Sequence, residues 1–291
     1  MNDTLAFIAT RVCGLLVLLA IGYGAWRAIR SPLQPLATFL RAWATVLAVV
    51  RQERRLSLMI LAAFALGQSL QVGFHFLPEL SADILVIVSQ AWQFCLTVFL
   101  APFAARILLR LIPVVTFKRP DFEAAARFRQ IALPVTLWAA AVWAVALGLT
   151  VLFNFVVMKS APEWRWYVAV PAPMFAYLMQ TPLILIRPAL VFGQTASEGI
   201  AVAVRHLGAL VLLNLLFTLP PFIVPILIFS VAIMTGSSHF AAYIAGQIVN
   251  VPFSLLQFLA YELAALISFG IATGLAPRIR FNRTFSAFYP C

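Results

Sequence analysis

The sequence predicts an all-α fold: a polytopic bundle of about seven transmembrane helices forming one domain over residues 1–291. Three observations predict it. The chain is 64% hydrophobic and only 10% charged, whereas a soluble domain is about half apolar and about a quarter charged. Its apolar residues fall into seven stretches of the length that a helix needs to cross a bilayer, about 20 residues. Finally, the 20 Lys and Arg side chains are placed asymmetrically. Six lie between Arg27 and Arg55, six between Arg106 and Arg129, two at Arg187 and Arg205, and three at Arg278, Arg280 and Arg283. These occupy alternate gaps between the apolar stretches, leaving Arg11, Lys159 and Arg165 elsewhere. Basic loops remain cytoplasmic. The pattern therefore predicts an outside N-terminus and a cytoplasmic C-terminus, in a membrane of the bacterial inner-membrane type.

The predicted spans cover 5–26, 56–77, 84–105, 131–157, 167–191, 207–234 and 240–275. The first opens on Met1-Asn2-Asp3-Thr4, which is acidic rather than basic, and no small-residue cleavage site ends it; it reads as a retained span rather than a secretory signal. Arg11 sits inside it and is expected to snorkel to the outer interface. The gaps Pro78–Asp83, Met158–Trp166 and Thr235–His239 carry little or no net positive charge and are assigned to the outer face.

Segment 31–55 is expected to be interfacial. Pro32 and Pro35 break any continuation from the first span. Leu36, Phe39, Leu40, Trp43, Val46, Leu47 and Val50 then recur at helical spacing, with Arg41 off that stripe and Arg51, Glu53, Arg54 and Arg55 after it. Such a helix suits either the headgroup layer or a cytoplasmic position packed on the bundle. Arg41, Arg51, Arg54, Arg55, Lys118 and Arg119 are the candidate contacts to anionic headgroups. Asp121 is a candidate cap for a short helix leading into the fourth span, and Thr195 or Ser197 for a surface helix between spans five and six.

Prolines interrupt the later spans: Pro171, Pro173, Pro182 and Pro188 in the fifth, Pro220, Pro221 and Pro225 in the sixth, and Pro252 in the seventh. Each frees a carbonyl four residues earlier, which lipid cannot satisfy, so these points should face other helices or water. Segment 240–275 is about 54 Å long as a helix, which predicts a kink at Pro252 and a cytoplasmic extension.

Glu262 is the sharpest single residue, the one charged side chain from Phe240 to Pro277. A carboxylate at that depth faces a partner or a cavity: it is either a neutral or salt-bridged glutamate holding helices together or a proton or ligand site, and Arg187 is the expected partner. Tyr261 and Asn250 complete the candidate intramembrane polar site, Tyr261 pointing elsewhere around the helix than Glu262. Amides at Gln68, Gln71, Gln90, Gln93, Asn154, Gln180, Asn214, Gln247 and Gln257 are expected to bond between helices.

No catalytic constellation, cofactor motif or metal spacing is present. The histidines are scattered, Pro78 separates His75 from Glu79, and there is no nucleophile elbow or phosphate-cradling loop. Cys13, Cys95 and Cys291 have no redox spacing. The net charge of +11 is accounted for by topology and lipid headgroups, not by nucleic acid.

The run Arg187-Pro188-Ala189-Leu190-Val191-Phe192, followed by Glu198, Ala203, Val204 and Arg205 and then a long apolar span, resembles the membrane domain attached to some glycerophosphoryl diester phosphodiesterases and related bacterial multi-span proteins. Gly193 and His206 depart from that pattern, standing where an acidic residue and a serine are usual. The resemblance implies a helical membrane domain tied to lipid or envelope processes and supplies no catalytic residue.

The expected function is that of a non-enzymatic inner-membrane protein, lipid-associated or a subunit of an envelope assembly. The alternative is a small-solute or lipid transporter using the broken helices of 167–275 and Glu262. The expected partners are membrane lipids, with anionic headgroups on the cytoplasmic face, and a membrane-protein partner or second copy.

Overall fold

A computed structural model of the chain describes residues 19, 22–26, 30–74, 82–116, 124–160, 181–236 and 238–275. Every regular element among them is helical: α1 Pro35–Gln52, α2 Arg54–Phe74, α3 Ala82–Thr116, α4 Ala124–Ser160, a 3-10 turn Thr181–Leu183, α5 Ile186–Phe192, α6 Ala196–Arg205, α7 Leu207–Met234 and α8 His239–Ala272. Among the described residues, three stretches are long and apolar enough to cross a membrane: Phe94–Leu111, Phe128–Val145 and Ala241–Ala272. The pair formed by α6 and Leu207–Phe217, bent by 93°, makes a fourth if counted as one span.

Helix α8 is the centre of the bundle. It packs on α7, α1, α2, α3, α5 and α6, and from Glu262 through Ile271 it is buried on every side. A helix that is apolar all round belongs in a core. Ala260, Ala264 and Ala265 are almost fully buried there; such small side chains let neighbouring backbones approach, which is how helices gain packing energy without a hydrophobic difference from lipid. By contrast, 72% of Ala241–Ala272 is buried but only 17% of Phe128–Val145, so α4 is peripheral. Its Leu133, Leu137 and Val145 stand outward. It runs antiparallel to α3, with the Arg106 guanidinium 5.9 Å from the Phe128 ring.

Several expectations about the elements are corrected. The span 84–105 belongs to a longer helix that runs on to Thr116 and includes Arg106 and Arg110. Likewise 131–157 lies within Ala124–Ser160. Residues 167–180 of the fifth predicted span lie outside the described residues, as do 5–18 of the first. The remainder of the fifth is no continuous helix: it is a 3-10 turn followed by the seven residues of α5. Pro188 is accommodated because it sits in the first turn of α5, where its missing N–H has no helical role. The seventh segment is one helix of 34 residues with Pro252 inside it.

Within segment 31–55, α1 packs on α7 and α8. Thr38 Oγ1 donates to the Leu33 carbonyl at 2.7 Å, and Pro35 opens the helix. The predicted apolar stripe is divided between two faces. Ala42, Val46 and Val49 are buried and Phe39, Trp43 and Val50 pack beside them, while Leu36, Leu40 and Leu47 are exposed. Large side chains dominate the periodicity, whereas the small residues Ala42 and Thr38 are the fully buried ones. Glu53 separates α1 from α2 and is buried there, paired with Arg110 of α3 at 2.5 and 2.7 Å.

Candidate functional site

Four polar residues of α8, Asn250, Ser254, Gln257 and Tyr261, follow one another at intervals of four, three and four. That spacing puts them on one helix face. All four line a partly open cavity of about 420 Å³ bordered by α2, α3, α4, α5, α7, α8 and the turn leading into α5. Glu262 lines it as well.

Arg187 reaches the cavity because the chain is broken just before it. Thr181 in the 3-10 turn is fully buried, and its Oγ1 accepts from Asn214 Nδ2 of α7 at 3.2 Å. After Leu185 the chain turns into α5, which delivers Arg187 from its first turn. The Arg187 guanidinium is ion-paired with the Glu262 carboxylate, joining α5 to α8. Farther along the same two helices, Phe192 stacks on Phe269 with ring centroids 5.6 Å apart.

A tight elbow holds α5 in place. Gly193, at φ 88°, ends α5 in the left-handed conformation that a glycine adopts at no steric cost. Thr195 then caps α6: its Oγ1 accepts from the Glu198 N–H at 3.3 Å, while its backbone N–H donates to Glu198 Oε2 at 2.6 Å. This is the capping box, and it resolves the choice between Thr195 and Ser197. Gly199 lets α6 lie against α5; a Cβ there would come within 2.8 Å of the Leu185 carbonyl oxygen.

Opposite α8, α3 contributes Trp92 and Thr97, α2 contributes Gln68, and α4 contributes Trp138 and Trp143. The Trp92 indole nitrogen occupies space that Gly67 leaves open, since a Cβ on Gly67 would meet it at 2.6 Å. Trp92 Nε1, Gln68 Oε1 and Asn250 Oδ1 are buried with no hydrogen-bond partner among the described residues. On the α7 side Phe217 packs edge-on against Tyr261 at 5.5 Å, and Gln257 Nε2 donates to the Phe217 carbonyl at 2.7 Å.

All four residues of the candidate polar site, Glu262, Arg187, Asn250 and Tyr261, thus meet at one cavity. The neighbours Tyr261 and Glu262 both reach it, although they diverge around α8, because it spreads over two faces of the helix. Gln257 and Asn214 make the interhelical bonds expected of amides. The side chains of Gln71, Gln90, Gln93 and Asn154 lie outside the described ones. Sequence reasoning missed Ser254 and the three tryptophans; the four-three-four polar stripe was the signal for Ser254. Of the candidate headgroup contacts, Arg51, Arg54 and Arg55 are exposed and Arg41 is half-buried. Lys118 and Arg119 lie outside the described residues. Among the described residues no three His, Cys, Asp or Glu side chains gather as metal ligands would.

Comparison with known proteins returned no matching family model, no similar curated protein and no similar solved structure.

Proposed function

We propose that this chain is a non-enzymatic integral membrane protein whose helical bundle binds a small solute or lipid headgroup in its central cavity and passes it across or along the bilayer. The observation that carries this reading is the convergence of Glu262, Arg187 and Asn250 on one cavity. An ionisable pair among apolar helices is costly and is retained where it faces a pathway or a site. The chain break before Arg187 supports it, because transporters build sites from interrupted helices. A volume of about 420 Å³ falls within the range of small-molecule sites.

The seven-span topology, the outside N-terminus and the bacterial inner membrane belong to the same proposal, supported by the arginine and lysine asymmetry. The exposed group Arg51, Arg54 and Arg55 supports contact with anionic headgroups. Kinship with the membrane domain of glycerophosphoryl diester phosphodiesterases also stays a proposal, supported by the Arg187-Pro188-Ala189 run leading into α6.

Thiol labelling tests the central claim. In a chain with Cys13, Cys95 and Cys291 changed to serine, a Ser254→Cys thiol is expected to react with a small maleimide in the folded protein, after washing in detergent to remove any co-purified ligand. A thiol that no maleimide reaches, permeant or impermeant, overturns the reading. A second reading, a subunit of an envelope assembly, is favoured by the outward apolar residues Leu133, Leu137 and Val145 of α4. It requires a stoichiometric partner on purification in gentle detergent, and a solitary monomer counts against it.

A further inference from the structure

The charges of the cavity wall identify the ligand it suits. Among the described residues lining it, Arg187 and Glu262 are the charged ones, and they neutralise each other. A ligand with net charge would arrive uncompensated in a low-dielectric space. A zwitterion would have to prise the pair apart and desolvate both halves. An uncharged group has neither cost.

The pair as it stands offers complementary edges. Its contact runs from Arg187 Nη1 to Glu262 Oε1. A carboxylate has a second oxygen and a guanidinium has further N–H groups, so the pair keeps acceptor and donor capacity beyond its own contact. A hydroxyl donates and accepts at once, so two neighbouring hydroxyls match both edges. The other polar lining is likewise neutral, consisting of amides and hydroxyls such as Gln68, Asn250, Thr97 and Ser254. The tryptophans of α3 and α4 add flat apolar surface of the kind that covers the carbon face of a ring.

We propose that the cavity takes an uncharged, hydroxyl-rich group, a polyol or sugar ring, seated on the intact Arg187–Glu262 pair. This rests on the reading of the cavity as a binding site. The group arrives either as a free solute or as the headgroup of a lipid.

The test uses the full chain in amphipol, free of sugar-headed detergent. Tryptophan fluorescence is followed during titration with glucose, glucosyl-diacylglycerol, phosphatidic acid and phosphatidylethanolamine. A saturable change with a sugar probe is expected; a response to glucose assigns a free solute, and a response to the glycolipid alone assigns a headgroup. The double variant Arg187→Gln/Glu262→Gln keeps the wall neutral and should bind the sugar probe about tenfold more weakly, the loss expected for one charge-assisted hydrogen bond. Saturation by phosphatidic acid or phosphatidylethanolamine at lower concentration than either sugar probe overturns the ligand class, and so does silence from both sugars. Labelling of the Ser254→Cys thiol separates the two failures. A reactive thiol without a sugar response sinks the ligand class alone, whereas an unreachable thiol sinks the cavity reading beneath it.

Discussion

The side-chain amide of Gln257 donates to the backbone carbonyl of Phe217 across 2.7 Å, and Phe217 lies four residues before Pro221. A proline has no N–H, so that carbonyl has lost its helical donor; α8 supplies a replacement from a neighbouring helix. Gln257→Leu should therefore destabilise the protein by about 1–3 kcal/mol, the cost of a buried acceptor left unmade. Pro221→Ala restores a backbone donor on α7, so the same leucine substitution should cost much less in that background. A thermal-unfolding double-mutant cycle in detergent measures the coupling, and equal costs in both backgrounds would refute the pairing.

The Arg187–Glu262 pair makes a second prediction. Removing one member leaves the other charge buried, so Arg187→Gln or Glu262→Gln alone should cost about 3 kcal/mol or more. The double neutral variant should cost distinctly less than the sum, because no unpaired charge remains. Unfolding midpoints of the three variants decide it; strict additivity would mean that the contact does not matter energetically.

Much of this site was legible in the sequence. Glu262 stood out as a lone charge in an apolar stretch, and Arg187 was the basic residue at a compatible depth. The proline rule foretold that a freed carbonyl would need a partner from another helix, and Phe217 found one. What could not be read was distance across the bundle. Nothing in the local pattern of α3 or α4 announced that Trp92 and Trp138 would face α8. The stripe of α1 misled for a related reason: large side chains dominate a periodicity count, whereas Ala42 and Thr38 sit where helices touch. Charge does not mark the end of α3 either, since Arg106 and Arg110 lie inside it.

Close packing between α5 and α6 gives a third prediction. Gly199→Ala places a methyl 2.8 Å from the Leu185 carbonyl and should cost about 1–3 kcal/mol through forced separation of the two helices. Gly148→Ala, in α4 with nothing within 4 Å of the added carbon, should instead be neutral or stabilising by up to about 1 kcal/mol through helix propensity. Melting temperatures of opposite sign in the two variants would confirm the contrast.

The elbow also makes stability depend on pH. Burial, and then the neighbouring Arg205 charge, hold His206 below its ordinary 6.5. Glu198 lies below its ordinary 4.5 because the Thr195 backbone N–H and hydroxyl donate to its carboxylate. In both cases the unfolded chain binds more protons than the folded one, so stability rises with pH. The His206 contribution is complete above its unfolded value and fades as pH falls below about 6.5; that of Glu198 fades only below its own ordinary value. Melting temperature should be level from about pH 8 to about pH 7 and decline towards about pH 5, with His206→Asn flattening the decline. A fall on raising the pH would contradict the sign. Thr195→Ala, which deletes the cap hydroxyl, should cost about 1 kcal/mol.

The central place of α8 has a consequence for biogenesis. It is the last of the described helices to leave the ribosome, yet α1, α2, α3, α5, α6 and α7 all pack on it. Before it is made the earlier helices can pair among themselves, as α3 and α4 do, but Arg187 has no Glu262 to pair with. Truncation anywhere before Glu262 would therefore leave Arg187 without its counter-charge and the other helices without the element that most of them contact.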